Sequence, residues 1–478
     1  MVPPDALTHP HDPGVDLGAP PAEWHAASLG SPYPAGAAPW EAPRRRRWWQ
    51  SHGFHSLLFF ALFYVLAPYD IMKSAHISAG TTRSDINEAV DKFGGGNPVR
   101  NAVIFALGSF AIVSLLQRSD NRVRTRGALG AAILLFLGWA AVSPLWGDDP
   151  LATGKKVIGM VFLALAALAM ARQSDGPGLI QFAIFSLGSF VATSILAELV
   201  VGSFHPLEPG YRFAGLVHPN AMGSDCAILA VASFAYARHR ADRRWFYYAM
   251  AFAALVLLVL TRSRTALLAG LAGFTLCATL LAGPRAKLLM GLCVAALGTV
   301  ALAVGNELQE LVAEAVAMGR TDAGASDIGS FTGRSEIWAQ LWEYVQQRPV
   351  LGYGYNSFWS PERLLDVALR QGFASPSAHS GLLEVTLSLG VVGGALLLVV
   401  LALAVLRALR AWHRERQIEY AFMAAALVAL CINITTESII LHATIGSFVW
   451  MIMLARLGHV EPPPVAPAPP AVEWWEAG

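Results

Sequence analysis

SGLLEVTLSLGVVGGALLLVVLALAVL, residues 380–406, is the stretch that decides the fold. Glu384 is its one charged side chain. Crossing the hydrocarbon core of a bilayer takes about 20 apolar residues. In lipid the backbone must satisfy its own hydrogen bonds, so such a run is a helix. The same ruler predicts about twelve spans: 53–69, 100–117, 127–145, 156–172, 178–201, 220–237, 245–261, 264–282, 286–304, 380–406, 419–436 and 438–456. A very short turn separates the last two. The expected fold class is all-α, a polytopic integral membrane protein with a large helical outer loop.

Composition agrees. The chain has 478 residues, 55% hydrophobic and 14% charged, with mean hydropathy +0.48. Soluble domains carry about 25% charged residues. This excludes a cytosolic enzyme, a nucleic-acid binder and a disordered scaffold. Cys226, Cys277, Cys293 and Cys431 all sit in apolar runs and read as small buried hydrophobes. Residues 1–47 are Pro-rich and read as a disordered cytoplasmic tail. They are no signal peptide, because Arg44–Arg47 precede the first apolar run. The membrane domain covers 48–457, and 458–478 form a second Pro-rich cytoplasmic tail.

Cytoplasmic loops carry an excess of Lys and Arg. With the N-terminus inside, the inner loops hold Arg118, Arg122, Arg124 and Arg126, then Arg172, then Arg238–Arg244, Arg285 and Lys287, Arg407–Arg416 and Arg456. Both termini are then cytoplasmic, and 305–379 form one long outer loop between spans nine and ten. Helical spacing recurs there at 306–318 and 334–347, and Ser360-Pro361 starts a short helix to Arg370.

An arginine on the outer side calls for another reason than orientation. Arg320, Arg348, Arg363 and Arg370 read as solvated loop charges. Arg212, Arg264 and Arg334 lie at the membrane boundary or beside glycine turns and suit a polyanionic head group, for which a lipid diphosphate is the natural choice. Arg262 lies two residues from Arg264 and would face the other way on a helix. Arg264 is favoured as functional and Arg262 as supporting. His379 begins a span, where a helix N-terminus favours the neutral imidazole that a general base needs.

Glu198, Asp225, Glu384, Glu437 and His442 are further intramembrane ionisable groups, expected to support the site, with Asp225 pairing an outer arginine. Gly390, Gly393 and Gly394 read as helix-packing positions. No Asp-x-Asp, His-Glu-x-x-His or Walker sequence occurs, which disfavours a metal or nucleotide site; Asp70 keeps a metal reading open.

These residues resemble the O-antigen ligase and polymerase superfamily, in its exopolysaccharide polymerase branch. The resemblance rests on Thr332-Gly333-Arg334-Ser335-Glu336-Ile337-Trp338, Leu351-Gly352-Tyr353-Gly354-Tyr355, Ala378-His379-Ser380, Arg212 with Gly215 and Pro219-Asn220, and Ser263-Arg264. It implies an inverting, metal-independent glycosyltransferase without a cofactor, at the periplasmic face of the bacterial inner membrane. The substrate would be an undecaprenyl-diphosphate-linked oligosaccharide, with membrane lipid, a chain-length regulator and a flippase as partners and no nucleic acid. His379 would be the catalytic base, and Arg212, Arg264 and Arg334 would hold the diphosphate. Arg262, Asn220, Glu336, Tyr355, Ser380 and Glu384 would support them. The family usually has Asn where Ser380 stands. A ligase moving finished glycan to a lipid A core, and a lipid flippase, are the alternatives. A flippase is disfavoured because no internal repeat is visible.

Overall fold

A computed structural model describes residues 55–62, 98–289, 291–292, 334–371, 376–441 and 443–462. The predicted N-terminal tail, the predicted C-terminal tail beyond residue 462, most of the span predicted at 286–304, the helix predicted at 306–318, Asp70, Cys293, Arg320 and His442 lie outside the described residues; residues 458–461, predicted as the start of the tail, instead complete α12 and form β2. Within them the elements run α1 Pro98–Leu116, β1 Arg122–Val123, α2 Gly127–Val142, α3 Pro150–Gln173, α4 Gly176–Val201, α5 Pro219–His239, α6 Arg244–Leu260, α7 Arg264–Leu281, α8 Arg334–Gln347, α9 Pro361–Gln371, α10 Gly381–Glu415, α11 Ile418–Asn433, α12 Ile445–His459 and β2 Val460–Glu461. Seven of these helices, α1 to α4, α6, α7 and α10, are long and apolar enough to cross a membrane. The architecture is that of a polytopic helical membrane protein.

Helices α5, α11 and α12 form the centre and are buried along nearly their whole length. Around them, α6 and α7 pack on α5, α11 packs on α7 and α10, and α3 packs on α12. A central position explains how α5 carries Ser224, Asp225 and Ser233, since it faces other helices rather than lipid. Among the described residues Asp225 meets no arginine, against expectation. Its carboxylate lies against the backbone of Gly446 at the start of α12, where an added Cβ would come within 2.3 Å of Oδ1.

The predicted inner loops meet at one end of the bundle. Arg172 donates to the Leu115 carbonyl, Arg456 to those of Ala171 and Ser174, Arg126 to Val460 and Arg407 to Arg126. β1 pairs antiparallel with β2, tying 122–123 to 460–461. Several of these carbonyls end helices, where cations are favoured.

Two predicted spans change at the opposite end. The span expected at 438–456 starts only at Ile445, because Thr444 caps α12. The preceding segment, 434–441, is irregular and carries Thr436, Glu437 and Ser438. In α10, Gly390 is a break rather than a packing position, with φ +69° and ψ −176°. The loop 348–353 fills the break. Val391 N–H donates to the Pro349 carbonyl (2.7 Å), Tyr353 N–H to Leu387 (3.0 Å) and Trp139 Nε1 to Leu389 (2.9 Å). These bonds satisfy backbone groups that the break would leave orphaned.

The helices α8 and α9 form as expected. Ile337, Leu341, Phe358, Leu364 and Val367 give them a small core of their own. Arg348 and Arg363 are not merely solvated. Both bond Asp148 at 2.6 Å, and their guanidiniums lie 4.7 Å and 4.6 Å from the Tyr353 ring. Arg370 pairs with Glu343 and Asp366.

Candidate active site

Arg212 lies in the segment joining α4 to α5. Glu198, buried near the end of α4, shapes it by accepting from Tyr211 Oη (2.5 Å), Ala214 N–H (2.9 Å) and Gly215 N–H (2.6 Å). Gly215 is required here. Its φ is +60°, and a Cβ would sit 2.2 Å from that of Ser194. Phe213 is fully buried and its N–H bonds the Leu260 carbonyl, which directs the neighbouring Arg212 elsewhere. Arg212 Nε donates to the Thr261 carbonyl and Nη2 to Asn220 Oδ1, both at 3.1 Å.

Asn220 is the second residue of α5, after the cap His218 and the first helical residue Pro219. The His218 Nδ1 accepts the Asn220 N–H at 3.3 Å, which leaves the proton of neutral His218 on Nε2. The Asn220 amide then donates to Glu437 Oε1 at 2.7 Å. Arg334, the first residue of α8, donates Nη2 to that same oxygen at 2.7 Å and Nη1 to the Thr436 carbonyl at 2.5 Å. One polar chain thus runs Arg212, Asn220, Glu437, Arg334 through four separate elements. Thr436 also bonds Thr265 (2.8 Å), which places the start of α7 beside it, with Arg264 as its first residue.

His379 is half-buried and its backbone is left-handed, φ +48°. Such a conformation costs about 1–3 kcal/mol outside glycine and persists only where neighbours enforce it. They do so here. Glu384 Oε2 accepts the Ala378 N–H (2.8 Å) and the Ser438 hydroxyl (3.3 Å), while Oε1 accepts Trp359 Nε1 (2.6 Å). Ser438 in turn accepts the Ser380 N–H (3.1 Å), and Trp338 Nε1 holds the Ala378 carbonyl (2.9 Å). Both neighbours of His379 are therefore pinned through one carboxylate. Glu384 lies five residues after His379, a spacing that on one helix would put the two on different faces, but His379 precedes the helix and Glu384 reaches back over its end.

Burial, the Arg334 guanidinium and His218 together push the His379 imidazole from its ordinary 6.5 to about 4. It is neutral across physiological pH, as expected for a base, but chiefly through burial and the Arg334 guanidinium rather than a helix dipole.

The structure thus brings Arg212, Asn220, Arg334 and His379 into one neighbourhood. Arg262 sits in the turn before α7 with φ +49°, beside the Thr261 carbonyl that Arg212 holds. It is not on a helix with Arg264, so the opposite-faces argument does not apply. Ser380 is the cap of α10, accepting the Leu383 N–H. Glu336 is exposed on α8. Tyr355 is placed elsewhere: its N–H bonds Ser143 at 2.9 Å, and Arg100 is its charged neighbour. His218 escaped the sequence reading, although a residue before Pro at a helix start was a usable signal. Among the described residues, no group of three or more His, Cys, Asp and Glu side chains could hold a metal ion.

Residues 249–398, about a third of the chain, match the family model described as O-antigen ligase. The match bears out the resemblance to the O-antigen ligase and polymerase superfamily. It takes in Arg264, Arg334 and His379, while Arg212, Asn220 and Glu437 lie outside it. No curated protein matches the chain.

Proposed function

We propose that this protein is an inverting glycosyltransferase that polymerises undecaprenyl-diphosphate-linked oligosaccharide repeat units. It acts at the periplasmic face of the bacterial inner membrane, with both termini cytoplasmic. The observation that carries this reading is the convergence of two arginines from distant segments, Arg212 and Arg334, beside a neutral, conformationally constrained His379. The clustering of the arginine-rich loops at the other end of the bundle supports the orientation.

The chemistry follows from the groups present. Arg212 and Arg334, with Arg264 at the start of α7, engage the two phosphates. The acceptor hydroxyl loses its proton to the His379 imidazole as its oxygen attacks the anomeric carbon. The bond from that carbon to the diphosphate oxygen breaks, and the charge arriving on the diphosphate is met by guanidiniums. Attack opposite the leaving group inverts the anomeric centre. The donor is already activated, so the reaction needs neither nucleotide nor cofactor. The bound diphosphate also corrects the base, because adjacent negative charge raises an imidazole pKa toward neutrality.

The test uses purified protein in nanodiscs with a prenyl-diphosphate-linked repeat unit. Ladders formed without a second acceptor support polymerisation. Transfer only to a lipid A core would make it a ligase. Full activity in His379→Ala would refute the mechanism, and a reporter at Gly324 that proved cytoplasmic would refute the orientation.

A further inference from the structure

Glu437 is the group this mechanism leaves without a task. Its Oε1 receives both Arg334 Nη2 and Asn220 Nδ2 at 2.7 Å, and its side chain is only 10% exposed. Two charge-seeking donors from separate helices converging on one anionic oxygen is the way a phosphate oxygen is held. The carboxylate therefore occupies what the site otherwise offers to substrate. Through Asn220 it also sets the geometry of Arg212.

We infer that Glu437 stands in for a phosphate oxygen in the free protein, and that an incoming diphosphate displaces it with uptake of one proton. This rests on reading the cluster as a diphosphate site. Arg334 cannot give the same donors fully to both anions. Once displaced, the carboxylate stays within a buried pocket, now beside two phosphate charges instead of a guanidinium, and like charge disfavours its ionised form. Protonated, it changes from competitor to donor and can offer its O–H to a phosphate oxygen. The proton comes from solvent and returns there when the diphosphate leaves. Burial already pushes the Glu437 carboxyl above the usual range, against the pull of Arg334 and Asn220.

The charged and titratable groups facing Glu437 are Arg334 from α8, Arg212 from the segment before α5 and His218 at the cap of α5. Arg264 lies beside Thr265 on α7, and His379 and Glu384 stand at the start of α10. Of these, the two imidazoles, His379 and His218, are the rival acceptors for a proton taken up near neutral pH.

The experiment is calorimetric titration of the full chain in nanodiscs with a short-chain prenyl diphosphate sugar. Both of its phosphates are esterified and keep one charge each across the working pH range. Titration in buffers of different ionisation heat counts protons directly. The wild type is expected to take up close to one proton, and its Kd to weaken by about tenfold per pH unit where uptake is complete. Glu437→Gln is expected to abolish most of the uptake, flatten the pH profile and bind tighter than wild type at alkaline pH. His379→Gln and His218→Gln are each expected to retain the uptake. No uptake by the wild type, or equal uptake in Glu437→Gln, would overturn the inference. If Arg334→Ala bound as tightly as wild type, the diphosphate site itself would fall; loss of binding there without proton uptake in the wild type would remove the Glu437 role alone.

Discussion

Gly390→Ala tests how the outer loop is joined to the membrane domain. A Cβ at this position would lie 1.9 Å from the Val350 carbonyl oxygen and 2.2 Å from its carbon. Both are backbone atoms, so no side-chain rotation relieves the contact. The backbone at φ +69° and ψ −176° is also essentially restricted to glycine, at a cost of about 1–3 kcal/mol for any other residue. Clearing the clash moves the 349–353 segment and sacrifices Val391 N–H to Pro349 and Tyr353 N–H to Leu387, each worth about 0.5–1.5 kcal/mol. The combined loss is about 2–6 kcal/mol. Since residues 381–389 begin two residues after His379, activity should fall with stability. Thermal unfolding in detergent, together with limited proteolysis across 348–371, measures both the loss and its location. Gly138→Ala is the control, because nothing lies within 4 Å of its Cβ. If Gly390→Ala were as stable and as protease-resistant as Gly138→Ala, the docked-loop account of the break would be wrong.

Further predictions follow from the same contacts. Glu384→Ala orphans buried donors on Trp359, Ala378 and Ser438, each costing about 1–3 kcal/mol, and should cut turnover at least tenfold by releasing the His379 backbone; Glu384→Gln should recover part of it in the same rate assay. Gly215→Ala drives a Cβ into Ser194 and should weaken diphosphate binding, measured by calorimetry, while circular dichroism shows the helices intact. Asp148 is partly desolvated, which raises its pKa, but Arg363 and Arg348 more than compensate and hold its carboxyl below the usual range. Its stabilising contribution is therefore present above the unfolded-state pKa and is lost as pH falls through the lower folded value. Acid unfolding of Asp148→Asn should lack that component, and high salt should narrow the difference from wild type.

Helices were legible in the sequence wherever lipid exposure forces long apolar runs. The interruptions were not. Nothing in Leu389-Gly390-Val391 separates a packing glycine from one that breaks a helix, because the cause is a loop some forty residues earlier in the chain. The start of α12 was misplaced for a related reason: 434–441 is apolar enough to extend a span, yet its backbone turns to present Thr436, Glu437 and Ser438 to other elements. For the site, counting arginines against topology singled out Arg212 and Arg334, since an outer arginine has no role in setting orientation. The same test cannot rank carboxylates, which contribute little to orientation. Glu437 and Glu384 looked alike in sequence, and only their partners separate a carboxylate that holds an arginine from one that holds a backbone.

That separation gives the proposed reaction an order. A histidine near pKa 4 is a poor base while the site is empty, which protects the donor-free enzyme from gaining a charge among its guanidiniums. Diphosphate binding reverses each contribution except burial: the charge of Arg334 is met by phosphate, and negative charge stands near the imidazole. The base is therefore strengthened by the substrate it serves. On this account the pH dependence of kcat/KM should show an acidic limb near pH 4 from free His379, and that of kcat should show the limb displaced upward by the bound diphosphate. Identical limbs in the two profiles would mean that His379 does not sense the diphosphate, and would separate the base from the arginine site that it is proposed to share.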